Sequence, residues 1–207
     1  MALCDMTVKS YLDLLSSSEP APGGGSASAL CGAQGAALVE MVARLTVGKK
    51  KYACYAELCE NVIKKAAALK AALLSQADKD AQAFNLVAAA YKLPKDTEEE
   101  CAARKAAISK ATLISTEVPF ETMKLCKETL LCAKELVGKS NVNAASDLAV
   151  AALNLVTGAV GAYSNVLINL GGIDEDKAEV FRAGGEEMTA SAKADAEYIF
   201  KTAVGSL

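Results

Sequence analysis

The chain has 207 residues, of which 52 % are hydrophobic and only 5 % aromatic, with no Trp and no His. Its formal net charge is −3, which argues against a general affinity for nucleic acid or other polyanions. The absence of histidine excludes Ser-His-Asp and Cys-His nucleophile systems and argues against a catalytic zinc site. Proton transfer is left to Asp, Glu, Lys, Tyr, Cys or water.

Alanine, the strongest helix former, occupies 41 positions, and only four prolines interrupt the chain. This composition predicts an all-α fold, an antiparallel bundle of long helices forming a single domain over residues 1–207. The first predicted element is a short amphipathic helix over residues 7–17, with Val8, Tyr11, Leu12, Leu14 and Leu15 on its apolar side. Residues 20–26 (PAPGGGS) break the chain, and helix resumes near Ser26 or Ser28 and runs to about Val47. Gly48 ends it, and Lys49, Lys50 and Lys51 follow as a solvated helix end or a small anion contact.

A long helix is predicted from about Tyr52 to Lys92, stopped by Leu93-Pro94. Thr97 and Glu100 have the spacing of a capping box that starts the next helix. Pro119 is expected to break or kink that helix, and the segment after it ends near Gly138. Residues 141–143 begin the next helix, whose stretch over 148–173 carries no charge. It resembles a membrane span in length, but Asn154, Asn165, Asn169 and several glycines interrupt it. We read it as a buried bundle helix or a subunit interface, not a membrane span. A final helix covers residues 174–204. Seven cysteines without a CxxC pair, and no signal-peptide pattern, predict reduced thiols in the cytoplasm.

Polar residues on apolar stripes carry the chemical information. In the long helix, Val62, Ala66, Leu69, Leu73, Gln76, Asp80, Phe84, Val87 and Tyr91 follow alternating steps of three and four. A carboxylate at Asp80 on such a stripe is costly unless it is ion-paired or functional. In the uncharged helix, Asp147, Ala151, Asn154, Gly158, Gly161, Asn165 and Asn169 form a stripe of small and polar residues. That stripe permits close helix contact with an amide network, or it lines a polar cavity suited to a heteroaromatic ligand. The turn at Gly23, Gly24, Gly25 and Ser26 precedes a helix start, where free N–H groups can hold an anion or a carbonyl.

These segments together resemble the cyclodeaminase/cyclohydrolase family of folate enzymes. The matching stretches are residues 20–26 (PAPGGGS), 35–50 (GAALVEMVARLTVGKK), 78–84 (DKDAQAF), 93–104 (LPKDTEEECAAR), Ser146-Asp147 and 161–170 (GAYSNVLINL). They lie in the family's order and span nearly the whole chain. The resemblance implies an all-helical homodimer that uses no metal and no cofactor beyond its tetrahydrofolate substrate. It implies that Asp80 is the catalytic base. It further suggests that Asp147, Asn165 or Asn169 meet the pterin, that Gly24, Gly25 and Ser26 also bind substrate, and that Lys49 and Lys50 meet its anionic glutamate tail. One departure is Gln82, where the family often has an acidic residue. The expected activity is methenyltetrahydrofolate cyclohydrolase, with formiminotetrahydrofolate cyclodeaminase as the alternative and a non-enzymatic helical module as the remoter one.

Overall fold

A computed structural model describes residues 2–205. Six α-helices account for most of them: α1 (Val8–Leu15), α2 (Gly24–Arg44), α3 (Ala56–Tyr91), α4 (Glu98–Leu136), α5 (Ala145–Asn169) and α6 (Glu175–Val204). Four short 3₁₀ turns join or precede them, and no strand occurs among the described residues. The five long helices alternate in direction. Ser26 of α2 meets Asp80 of α3, and Lys65 of α3 meets Glu135 of α4. Ser115 of α4 meets Asn169 of α5, and Tyr163 of α5 meets Arg182 of α6.

One core joins these five helices, with Val39, Leu73, Leu130, Leu155 and Ile199 fully buried in it. Each such side chain contributes about 1.5–3 kcal/mol by leaving water. The α2–α5 contact is tighter than leucine packing allows. A Cβ on Gly158 would lie 2.9 Å from the Ser28 carbonyl oxygen and 3.0 Å from the Gly32 nitrogen. The small-residue stripe of α5 therefore serves close helix contact along its middle. Across α2 and α3, buried Glu40 accepts from Arg44 and from Lys70, whose Nζ lies 2.7 Å away. These two cations hold the Glu40 carboxyl below the usual carboxylate range, with the Lys70 hydrogen bond the larger influence.

The capping box forms as its spacing predicts: Thr97 Oγ1 accepts from the Glu100 N–H, and Glu100 accepts from the Thr97 N–H. Two boundaries differ from expectation. Helix α2 begins at Gly24, ahead of Ser26, with the glycines inside its first turn. Helix α3 begins at Ala56 after a 3₁₀ turn, Lys50–Tyr55. Tyr52 leaves helical geometry there because its ring is buried and its hydroxyl accepts from the Val142 N–H.

Pro119 does not end or divide its helix: α4 runs unbroken through it for 39 residues. Proline removes the N–H that would bond the Ser115 carbonyl one turn back. Asn169 Nδ2 supplies the missing donor at 2.9 Å. The α3 stripe also changes character along its length. Val62 to Gln76 is buried, whereas Phe84 and Tyr91 are exposed. Helix α2 starts beside Asp80, so beyond that point α3 has no α2 to pack against.

Candidate active site

The start of α2 has no side-chain cap of its own; its N-cap is Gly23. Asp80 of α3 takes that place from outside the helix. Ser26 Oγ donates to Asp80 Oδ2 at 2.9 Å, and the Ser26 backbone N–H also favours the charged carboxylate. A carboxylate at a helix N-terminus is stabilised by the unpaired N–H groups and the dipole. Burial works the other way and dominates, pushing the Asp80 carboxyl above its usual value. The result is a half-buried carboxylate with raised basicity and no Lys or Arg within ion-pair distance among the described residues.

Gly25 is required by this approach. A Cβ there would sit 2.0 Å from Asp80 Oδ1 and 2.5 Å from its carboxyl carbon. Ser26, fully buried, shares its hydroxyl between Asp80 and the Ala77 carbonyl, also at 2.9 Å. A Cβ on Gly24 would touch Asn165 Nδ2 at 3.4 Å, so α5 closes the site on its far side. Asn165 donates to the Gly161 carbonyl, and both heavy atoms of its amide face the Gly24 turn.

The expected binding residues divide into two groups. Gly24, Gly25, Ser26, Asp80 and Asn165 come together, with Asn169 one turn beyond Asn165. Both Asn169 amide protons are committed to backbone carbonyls, those of Ser115 and Asn165. Lys49, Lys50 and Asp147 lie elsewhere. Lys49 and Lys50 follow the C-terminal end of α2, and Asp147 sits in the first turn of α5. Helix α2 has 21 residues, so about 30 Å separates its two ends. No single protomer brings these lysines to Asp80.

Sequence reasoning placed Tyr11 on an apolar helix face and left it out of the site. Its hydroxyl is buried without a hydrogen-bond partner, and the Asp80 charge is among the influences that, after burial, hold its proton more tightly. Among the described residues no group of three or more Cys, Asp or Glu side chains is arranged to hold a metal ion.

The fold and site define an all-α bundle whose distinctive feature is a desolvated carboxylate held on a glycine-rich helix start. The family model described as formiminotransferase-cyclodeaminase matches residues 7–186, and the chain belongs to that family. Methenyltetrahydrofolate cyclohydrolase of Methylorubrum extorquens is 43 % identical over 169 residues, covering 82 % of this chain and 81 % of that protein. Formimidoyltransferase-cyclodeaminase of Rattus norvegicus is 35 % identical over 175 residues, but this chain spans only 32 % of its length. In three dimensions the chain is similar to formiminotetrahydrofolate cyclodeaminase from Thermotoga maritima. The TM-score is 0.81 at 28 % identity, over 99 % of this chain and 97 % of that one.

Proposed function

We propose that this chain is a methenyltetrahydrofolate cyclohydrolase in which Asp80 is the catalytic base. The observation that carries the reading is the Asp80 carboxylate, desolvated, free of a cationic partner and fixed by Ser26. The 5,10-methenyl substrate is an amidinium cation that water attacks without metal activation. A nearby carboxylate stabilises that cation and takes a proton from the attacking water as the C–O bond forms. The bond from the one-carbon unit to N5 then breaks as N5 receives the proton from Asp80, the hydroxyl gives its remaining proton to solvent as the formyl C=O forms, and 10-formyltetrahydrofolate leaves. Gly24, Gly25 and Asn165 line the approach to the reacting carbon. No cofactor beyond the folate is required.

The alternative is formiminotetrahydrofolate cyclodeaminase, favoured by the Thermotoga maritima likeness, which covers almost the whole of both chains. There Asp80 would manage protons as N10 attacks the formimino carbon and ammonia leaves. The two reactions move the methenyl absorbance in opposite directions. Purified protein given methenyltetrahydrofolate should bleach that band; a rise on formiminotetrahydrofolate, without bleaching of the methenyl form, would select the alternative.

The reading includes a cytoplasmic homodimer. By length and composition alone, α2 and the segment over residues 142–172 are apolar enough to cross a membrane. We read both as bundle helices, because half or more of each apolar window is buried inside the protomer. Val150, Leu153, Leu167 and Ile168 face outward from α5, and we assign them to contact with a second copy. Such a copy would also bring Lys49, Lys50 and Asp147 to its partner's Asp80, and the lysines to the glutamate tail.

A further inference from the structure

Helix α1 buries none of its residues, yet it is held in place at its N-terminal side. The Leu3 N–H donates to Asp78 Oδ1 at 2.6 Å, and Cys4 donates to the Leu74 carbonyl of α3. Beneath α1 lies a cavity of about 580 Å³, bounded by α2 and α3. Leu12, Leu15, Leu30, Cys31 and Leu74 line it, and the lining is mostly apolar. Its size falls within the range of small-molecule sites.

Two observations set this cavity apart from a packing defect. Tyr11 lines it, and the Tyr11 hydroxyl is fully buried with no partner. A buried hydroxyl without a partner loses stability unless something else supplies one. The cavity also adjoins the catalytic carboxylate. Ala27, on its wall, directly follows the Ser26 that holds Asp80, and Asp78, which anchors the segment ahead of α1, lies two residues from Asp80.

We propose that the cavity under α1 is the subsite for the benzoyl ring carried on N10 of the folate, with the Tyr11 hydroxyl donating to the benzoyl carbonyl. This rests on the folate reading. The aryl ring is bonded to one of the two nitrogens that flank the reacting carbon. A ligand poised at Asp80 has room for that ring in the adjoining space, and a mostly apolar cavity with the Tyr11 phenol on its wall suits it. The hydroxyl, out of reach of solvent in the free chain, turns to that carbonyl when substrate binds.

The test is Tyr11→Phe, which keeps the ring and removes the hydroxyl. KM for methenyltetrahydrofolate should rise about 3- to 10-fold with kcat nearly unchanged, the pattern for an interaction made equally in ground and transition states. The Tm of the ligand-free protein should hold or rise, because no native partner is lost. Binding of p-aminobenzoylglutamate, which carries the aryl ring but no reacting carbon, should be measurable by calorimetry in the wild type and weaker in Tyr11→Phe. Wild-type KM in the variant, a fall in Tm, or no binding of the fragment by an active wild type would each overturn the subsite and leave the folate reading standing. A wild type inactive on both folates would instead remove the reading on which the subsite rests.

Discussion

A carboxylate works as a base near neutral pH when it is partly desolvated yet kept ionised by well-aimed donors. Asp80 is half-buried and takes hydrogen bonds from Ser26, and each feature can be varied separately. Ser26→Ala removes a donor that favours the charged form, so the carboxyl should become still harder to ionise. The acid limb of kcat/KM should move to higher pH; a limb that does not move would separate Ser26 from the titration of the base. Gly25→Ala places a methyl where Asp80 Oδ1 now lies, and moving a reacting group by about 1 Å costs on the order of 10²-fold in rate. Steady-state kinetics on the folded variant would show it. The same desolvation has a consequence for stability. The Asp80 carboxyl is harder to ionise in the folded chain than in the unfolded one. The folded state is therefore penalised at pH above the folded value, and the penalty fades as pH falls toward the ordinary one. At pH 7 Asp80→Asn should raise Tm in a scanning calorimeter while activity is lost, whereas a structural ion-pair partner would lower it.

At the scale of elements, Asn169 and Pro119 form one device across α4 and α5. Asn169→Ala leaves the Ser115 carbonyl without a donor and should cost about 1–3 kcal/mol. In a Pro119→Ala background, residue 119 regains its N–H, and the same change should cost much less. A double-mutant cycle by urea unfolding measures the difference, and equal costs in both backgrounds would refute the pairing. This pairing was out of reach of the sequence. Pro119 shows locally as a helix breaker, and the donor that rescues it lies 50 residues away on another helix. Tyr52 misled for the same reason: its buried hydroxyl contact with the Val142 N–H, not local propensity, delays the start of α3. By contrast, the Thr97 capping box and the buried stripe from Val62 to Gln76 were legible, because each depends on neighbours within a turn or two. Asp80 was legible as an anomaly on that stripe. The need for glycine at position 25 was not, because it arises only when α3 is brought against α2.

At the scale of the whole molecule, the two groups of expected binding residues lie at opposite ends of one bundle. The family resemblance could name Lys49, Lys50 and Asp147, but linear order says nothing of the roughly 30 Å that α2 puts between them and Asp80. If a second copy supplies them, function complements between subunits. Asp80→Asn and Lys49→Ala/Lys50→Ala chains, each impaired alone, should recover roughly a quarter of wild-type activity when mixed at random, since half the dimers then hold one intact site. No recovery in exchanged, verified dimers would return the lysines to their own subunit. Ile168→Glu, on the exposed face of α5, should shift the dimer to monomer in sedimentation velocity.

Asp80, on the reading proposed above, performs the folate chemistry. Wild type and Asp80→Asn should be followed side by side at the methenyl absorbance with methenyltetrahydrofolate, with calorimetry confirming that the variant is folded. Rapid bleaching by the wild type and a loss of at least about 10²-fold in the variant are expected, as befits removal of a general base. A folded variant that bleaches the substrate at the wild-type rate would contradict that reading.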